Sequence, residues 1–202
     1  MKRVGYPAPV ESLIGELKRL PGIGPRSAER IALWMIQNRS SHPERLEQAL
    51  RTAIEQVQAC ETCGYYSLEA QCEICKDNAR GEFGTLCVVE QPEDILSLER
   101  VGIIQGRYHA LGGKISPLDH LGPEDLRIEG LLRRLSAENV EEVILALSAD
   151  VEGDATSHYL ADLIRPLGVK ISRIAQGLPA GGGLNHTDEV TLSRAISGRV
   201  QF

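Results

Sequence analysis

The sequence predicts a multi-module α/β fold, with an N-terminal helical hairpin module, a four-cysteine finger, a parallel-sheet α/β domain and a C-terminal helix. Three observations carry this. Apolar residues in the first sixty positions recur at helical spacing, four of the five cysteines fall within sixteen residues, and strand-like and helix-like patterns then alternate.

The helical module is read first. Val10, Leu13, Ile14, Leu17 and Leu20 keep a helical period, which predicts a helix from Val10 to Leu20. Pro21-Gly22-Ile23-Gly24-Pro25 breaks it. A second helix is expected from Pro25 to about Asn38, with Ala28, Ile31, Ala32, Met35 and Ile36 on one face, and Pro25 suits its first turn because a missing N–H costs nothing there. Leu46, Leu50, Ile54 and Val57 predict a third helix from Pro43 to Gln58.

The cysteines follow as Cys60-x2-Cys63-x8-Cys72-x2-Cys75. Each CxxC lets two thiolates reach one ion from a tight turn, and two such knuckles complete a tetrahedron with no open position. Zinc, one structural ion per chain, is the expected occupant, with an iron–sulfur cluster or a thiol redox pair as alternatives. So small a segment cannot bury much core, so the ion would contribute folding energy directly. Cys87 stands apart in an apolar run and is expected in the core.

Beyond the finger, Thr85–Val89 reads as a buried strand, Pro92–Arg100 as a helix and Arg107–Leu111 as a strand. A Gly/Pro-rich loop from Gly112 to Pro123 leads to a helix from Pro123 to Leu135. Glu142–Leu147 is the clearest buried strand, followed by a helix from about Ala155 to Leu167 and a strand from Val169 to Ile174. Alternation of this kind predicts a parallel sheet with both faces covered. Leu178–Asn185 is Gly-rich and expected to be exposed, and Thr187–Ser197 reads as a terminal helix opened by a capping residue. The expected domains are 1–56, 57–80, 81–176 and 177–202.

Composition narrows the function. With 4% aromatic residues, a groove built of stacked rings is improbable. No apolar run approaches a membrane span or a signal peptide, so a cytoplasmic protein with no membrane partner is expected. The net charge of -6 is uneven. Residues 1–59 carry nine basic against six acidic side chains, and the remainder thirteen against twenty-two. Since salt screens distant charge over about 8–10 Å, a basic module on an acidic body can still hold a phosphate backbone.

Two constellations point to chemistry. Gly22 and Gly24 allow the turn between the first two helices to take positive φ and to approach another surface closely. Free N–H groups at Gly22, Ile23 and Gly24, backed by the positive end of the second helix, would suit a phosphate oxygen, and Arg26 and Arg30 would add charge one turn apart. The alternative is an ordinary helix–helix corner with solvated arginines. The second constellation is acidic. Glu90 follows the first strand of the α/β segment, and Asp150, Glu152 and Asp154 follow the strand ending at Leu147. Carboxylates at the C-terminal ends of parallel strands gather in one crevice, where they could hold Mg²⁺, contact another protein, or form a solvated rim.

The Leu20–Ala28 string resembles the helix-hairpin-helix motif, which grips DNA without reading bases. The acidic set resembles the Toprim domain of topoisomerases and primases, with Ser148 standing where that family's first aspartate would be and Asp150 in place of the second. Together with the cysteine finger, Ala110–Leu118, Arg173–Pro179 and Asp188–Ala195, the chain as a whole resembles the RecR family of recombination mediators. That resemblance implies a homo-oligomer, as a ring tetramer or dimer, that binds double- and single-stranded DNA without sequence preference and without catalysis. It implies RecO and RecF as partners in loading RecA. It places Arg26 and Arg30 at the basic positions of the hairpin and Glu152 and Asp154 on the face toward RecO. A Mg²⁺-dependent nuclease, primase or topoisomerase-like enzyme using Glu90, Asp150 and Asp154 is the competing reading, and a zinc-stabilised scaffold binding only proteins is a third.

Overall fold

The structure is a computed structural model and describes residues 5–38, 43–178 and 181–199. Pro179 of the tail string and Ala180, both within the Gly-rich stretch 178–185, therefore lie outside the described residues. The chain divides after Val57 into two compact units.

The first unit is helical. Helix α1 (Ala8–Leu17) and α2 (Pro25–Gln37) form a hairpin, and α3 (Pro43–Gln56) follows. Ala28 and Ala32 on α2 are fully buried, which lets the two helices of the hairpin approach closely. Helix α1 ends three residues earlier than its apolar period predicts. Lys18 to Leu20 instead tighten into turns closed by Arg19 N–H to the Glu16 carbonyl and Leu20 N–H to the Leu17 carbonyl. The break therefore begins before Pro21. Likewise α3 stops at Gln56, because Gln58 and Ala59 are taken into a strand of the second unit.

The second unit opens with a ribbon. Strand β1 (Gln58–Ala59) pairs antiparallel with β2 (Tyr66–Ser67), and the short helices α4 (Glu73–Lys76) and α5 (Asn78–Glu82) follow. Next come β3 (Thr85–Val89), α6 (Pro92–Val101), β4 (Arg107–Ala110), α7 (Ile128–Ala137), β5 (Glu142–Ala146), α8 (Val151–Ile164), β6 (Lys170–Arg173) and α9 (Glu189–Ser197). The sheet is wholly parallel, in the order β4-β3-β5-β6. Alternate side chains of β3 serve opposite faces, as the period of a strand requires. Leu86 and Val88 join Val143 and Leu145 of β5 against α7 and α8 through Leu131, Leu135, Leu160 and Ile164. Cys87 and Val89 join Tyr108 and Ala110 against Ile95 of α6. Cys87 is thus a core residue, its thiol pushed up to about 12 by burial.

Three helix starts differ from expectation for identifiable reasons. Helix α8 begins at Val151, four residues early, because the Asp150 carboxylate caps it by accepting the Gly153 N–H at 2.7 Å. Helix α7 begins at Ile128, later than expected, since Pro123–Asp125 makes only a 3-10 turn. Helix α9 is capped by Asp188, which accepts the Thr191 N–H at 3.0 Å, one residue beyond the expected Thr187. Among the described residues no helix is long and apolar enough to cross a membrane.

The order of strands has a functional consequence. β3 and β5 lie side by side at the centre, and their chain continuations run off in opposite directions, to β4 and β6. This is the switch point of the sheet, where a crevice opens outside the C-terminal strand ends. Glu90 and Ser148 sit there.

Candidate nucleic-acid interface and metal centre

The glycine turn of the first unit is open to solvent. Gly22 takes φ 77°, a left-handed conformation that a side chain would strain, and a Cβ there would meet no atom within 4 Å. The position therefore demands glycine for its backbone and leaves room for a close visitor. The Ile23 N–H is committed to the Leu20 carbonyl at 3.2 Å. Among the described residues, the N–H groups of Gly22, Gly24, Arg26 and Ser27 make no hydrogen bond. Helix α2 has no side-chain cap and no acidic residue in its first turn, so its positive end is uncompensated. Arg26 and Arg30 are exposed and, among the described residues, in no ion pair. The arrangement can accept an anionic oxygen on backbone donors with guanidinium groups beside it. Of the three turn residues expected to offer a backbone N–H, Gly22, Ile23 and Gly24, Ile23 has its own spent, shaping the turn instead of facing outward.

The four cysteines converge. The sulfur atoms of Cys60, Cys63, Cys72 and Cys75 all lie within 4.8 Å of one another and the residues are buried. Two backbone donors already point at sulfur: Tyr65 N–H to Cys63 Sγ at 3.4 Å and Cys72 N–H to Cys60 Sγ at 3.3 Å. Hydrogen bonding from Cys75, then from the Tyr65 N–H and the other thiols, pulls the Cys63 thiol down to about 5. Accepting as a thiolate, Cys63 pushes Cys75 far up, and burial pushes Cys72 up to about 11. Burial and the neighbouring sulfur charge thus oppose ionisation of Cys72 and Cys75, and a cation among the sulfurs would relieve both. The donor set, four soft sulfurs and no open side, fits a structural metal ion.

The knuckle is fixed to the sheet by its backbone. Ala110 N–H at the end of β4 donates to the Cys63 carbonyl at 2.7 Å, and Arg127 Nη2 donates to the Glu61 and Cys60 carbonyls at 2.8 and 3.3 Å. Gly64 (φ 81°) makes this approach possible, since a Cβ there would sit 3.1 Å from Arg127 Nε and 3.2 Å from the Ala110 carbonyl oxygen.

The acidic residues at the switch point divide into two groups. Glu90 Oε1 accepts both the Ser148 N–H and its hydroxyl, each at 2.6 Å. Asp150 uses one oxygen to cap α8 and the other to bind the Lys114 ammonium, which also lies 3.2 Å from Glu152 Oε2. Lys114 holds the Asp150 carboxyl at about 2, with help from the Gly153 N–H. Asp154 belongs elsewhere. Its two oxygens are taken by Arg173 of β6 and by Arg194 of α9, the latter at 2.9 Å, which ties the start of α8 to the end of the sheet and to the C-terminal helix. Gly153 packs α8 so closely that a Cβ would run into the Ser148 carbonyl oxygen. The structure thus brings Glu90, Asp150 and Glu152 to one place and withdraws Asp154 into a pair of arginines.

These residues do not fit the Mg²⁺ that a Toprim domain implies. Ser148 contributes a hydroxyl that donates to Glu90 where a carboxylate would be needed, and an ammonium already lies between Asp150 and Glu152. Sequence reasoning named the acidic residues and Ser148, and missed the cations that pair with them, Lys114, Arg173 and Arg194. The one local signal was Lys114 itself, a lone cation in the Gly112–Pro123 loop.

Comparison with known proteins finds three family models along the chain, none of them over the cysteine knuckle. A family model described as "RecR, helix-hairpin-helix" matches residues 10–54, one described as "Toprim domain" matches 84–175, and one described as "RecR, C-terminal" matches 177–200. The chain is 50% identical over 194 residues to the "Recombination protein RecR" of Streptomyces coelicolor, covering 96% of this chain and 97% of that one. It is 48% identical over 194 residues to the protein of the same name in Thermobifida fusca, with the same coverage, and 48% identical over 197 residues to that of Acidothermus cellulolyticus, covering 98% of both chains. With module order, site geometry and full-length similarity in agreement, the chain belongs to the RecR family.

Proposed function

We propose that this protein is a non-catalytic DNA-binding adaptor of recombinational repair. The observation that carries the reading is the exposed glycine turn, whose free N–H groups stand at the uncompensated positive end of α2. Phosphate oxygens of DNA seat on the amides of Gly22 and Gly24, with Arg26 and Arg30 alongside, and Ile23 locks the turn. Such contacts position a backbone and read no base, so double- and single-stranded DNA are both bound. The names of its relatives place them in recombination, and the same role is assigned to this chain.

Zinc is the ion proposed for Cys60, Cys63, Cys72 and Cys75, one per chain and structural. The chain acts in the cytoplasm as a homo-oligomer, a ring tetramer or dimer, in which several hairpins add their weak contacts through effective concentration. It works with RecO and RecF to promote RecA loading. Asp150 and Glu152, with Glu90 behind them, form the protein-contact rim, and Asp154 holds that rim in shape. The absence of catalysis is supported by Ser148 and Lys114, which replace a carboxylate and a cation position that phosphoryl chemistry would use.

The test is a fluorescence titration with two labelled duplexes of unrelated sequence at a series of salt concentrations. The expected result is equal affinity for both and a steep fall with salt, log K declining by about 0.9 per phosphate contacted against log salt. A strong preference for one sequence, or affinity indifferent to salt, would refute the reading.

A further inference from the structure

Lys114 stands in the switch-point crevice, and DNA binding by the glycine turn leaves its chemistry unused. Its ammonium bonds Asp150 Oδ2 and lies 3.2 Å from Glu152 Oε2, while Glu90 adds its attraction from the neighbouring strand end. Three carboxylates from two parallel strand ends thus face one cation, and that cation is supplied by the chain itself. The residues next to Lys114 are tied down as well. Ile115 N–H donates to Thr156 Oγ1 of α8 at 2.9 Å. Ser116 Oγ lies 2.6 Å from Glu152 Oε1 and 2.8 Å from Asp119 Oδ2, with one hydroxyl hydrogen to share between them. A stretch that the sequence presents as a Gly-rich loop is therefore fastened to the N-cap and first two turns of α8 through Lys114, Ile115 and Ser116.

A divalent ion and an ammonium compete for the same carboxylate oxygens. Mg²⁺ and Mn²⁺ prefer oxygen ligands, and two or three carboxylates are an ordinary donor set for them. Lys114 has the advantage of being tethered, so it does not leave by diffusion and needs no solution concentration. Entry of a divalent ion would oblige the ammonium to withdraw and would loosen the Gly112–Pro123 segment with it.

We infer that Lys114 is a built-in counter-cation that takes the position of a divalent ion at the switch point and clamps the Gly112–Pro123 segment over it. The crevice of this chain is therefore metal-independent by construction, and removing one side chain uncovers a latent cation site. This inference stands apart from DNA binding, which involves the other unit.

The experiment is Mn²⁺ binding to the zinc-loaded, full-length protein, followed by the electron paramagnetic resonance signal of free Mn²⁺. Wild type and Lys114→Arg are expected to show no stoichiometric site. Lys114→Met is expected to take up one Mn²⁺ per chain at least about ten-fold more tightly than wild type, and adding Asp150→Asn should abolish that uptake. Tight stoichiometric Mn²⁺ binding by wild type would overturn the inference, as would no uptake by a Lys114→Met protein whose zinc content and circular dichroism match wild type. Should the Met variant not fold, Lys114→Gln takes its place, with the same uptake expected and the same absence of uptake by a folded protein overturning the inference.

Discussion

Replacing Arg26 and Arg30 together by Glu is expected to reduce DNA affinity by on the order of 100-fold or more while leaving the fold intact. Both side chains are exposed and, among the described residues, form no ion pair, so neither contributes a buried contact whose loss would unfold the hairpin. A hydrogen bond to a charged group contributes about 1.5–3 kcal/mol, and two lost together give about 3–6 kcal/mol before the new repulsion is counted. Charge reversal also places carboxylates at the positive end of α2, which stabilises the free helix and competes with phosphate for the same amides. The helical content of the variant should therefore equal or exceed that of wild type. Its remaining affinity should show a shallower salt dependence, by about one unit of slope for each phosphate contact removed. A titration of both proteins against one duplex, with circular dichroism alongside, checks this. Unchanged affinity would show that the phosphates lie elsewhere.

The second large effect is expected from the metal centre. Exchanging Cys63 for Ser, or stripping the ion with a chelator, should unravel the ribbon from Gln58 to Lys76 and lower the thermal midpoint of the second unit. Cys63 is the sulfur most readily ionised, and burial and neighbouring thiolate charge oppose ionisation of Cys72 and Cys75 without a cation. Isolated zinc-finger peptides gain on the order of 10 kcal/mol from the ion. Even half of that would shift the midpoint of a unit this size by roughly 10–20 °C. The damage should spread to the sheet, because Ala110 and Arg127 hydrogen-bond the carbonyls of Cys63, Cys60 and Glu61. Calorimetry paired with metal analysis measures both quantities. A midpoint unmoved after complete loss of metal would show that the knuckle folds on its own packing.

What the sequence disclosed and what it concealed divide by distance along the chain. The glycine turn and the paired CxxC units are local objects whose chemistry lies in a dozen residues, so both could be read directly. The parallel sheet was legible because β3 and β5 are buried runs bounded by helical periods. Three helix limits were misplaced where a cap, a 3-10 turn or a pair of tight turns overrode periodicity. Asp150 starts α8 early by capping it, Pro123 opens only a 3-10 turn before α7, and the turns at Lys18–Leu20 cut α1 short. The acidic set shows the harder case. Its members were identified, but their grouping depends on Lys114 meeting Asp150 across 36 positions and on Arg194 meeting Asp154 across 40. No spacing rule reaches that far. Asp150 caps α8 and Asp154 lies in its first turn, yet one pairs with Lys114 of the loop and the other with Arg194 of the C-terminal helix.

The same locality explains why the hairpin supports so specific a proposal. Its donors are backbone groups placed by two glycines and a proline, and their direction is set by the turn, not by side-chain packing that could rearrange. The metal knuckle and the acidic crevice belong to the other unit.

The most direct measurement follows the glycine turn itself. In protein labelled with 15N, the amide signals of Gly22, Gly24, Arg26 and Ser27 should move furthest on titration with a short duplex of arbitrary sequence, and their hydrogens should exchange more slowly once it is bound, while Ile23 N–H is already slow beforehand. If those four amides keep their positions and exchange rates while DNA binds at full affinity, the turn is a mere corner between helices, and the polynucleotide is held by some other surface.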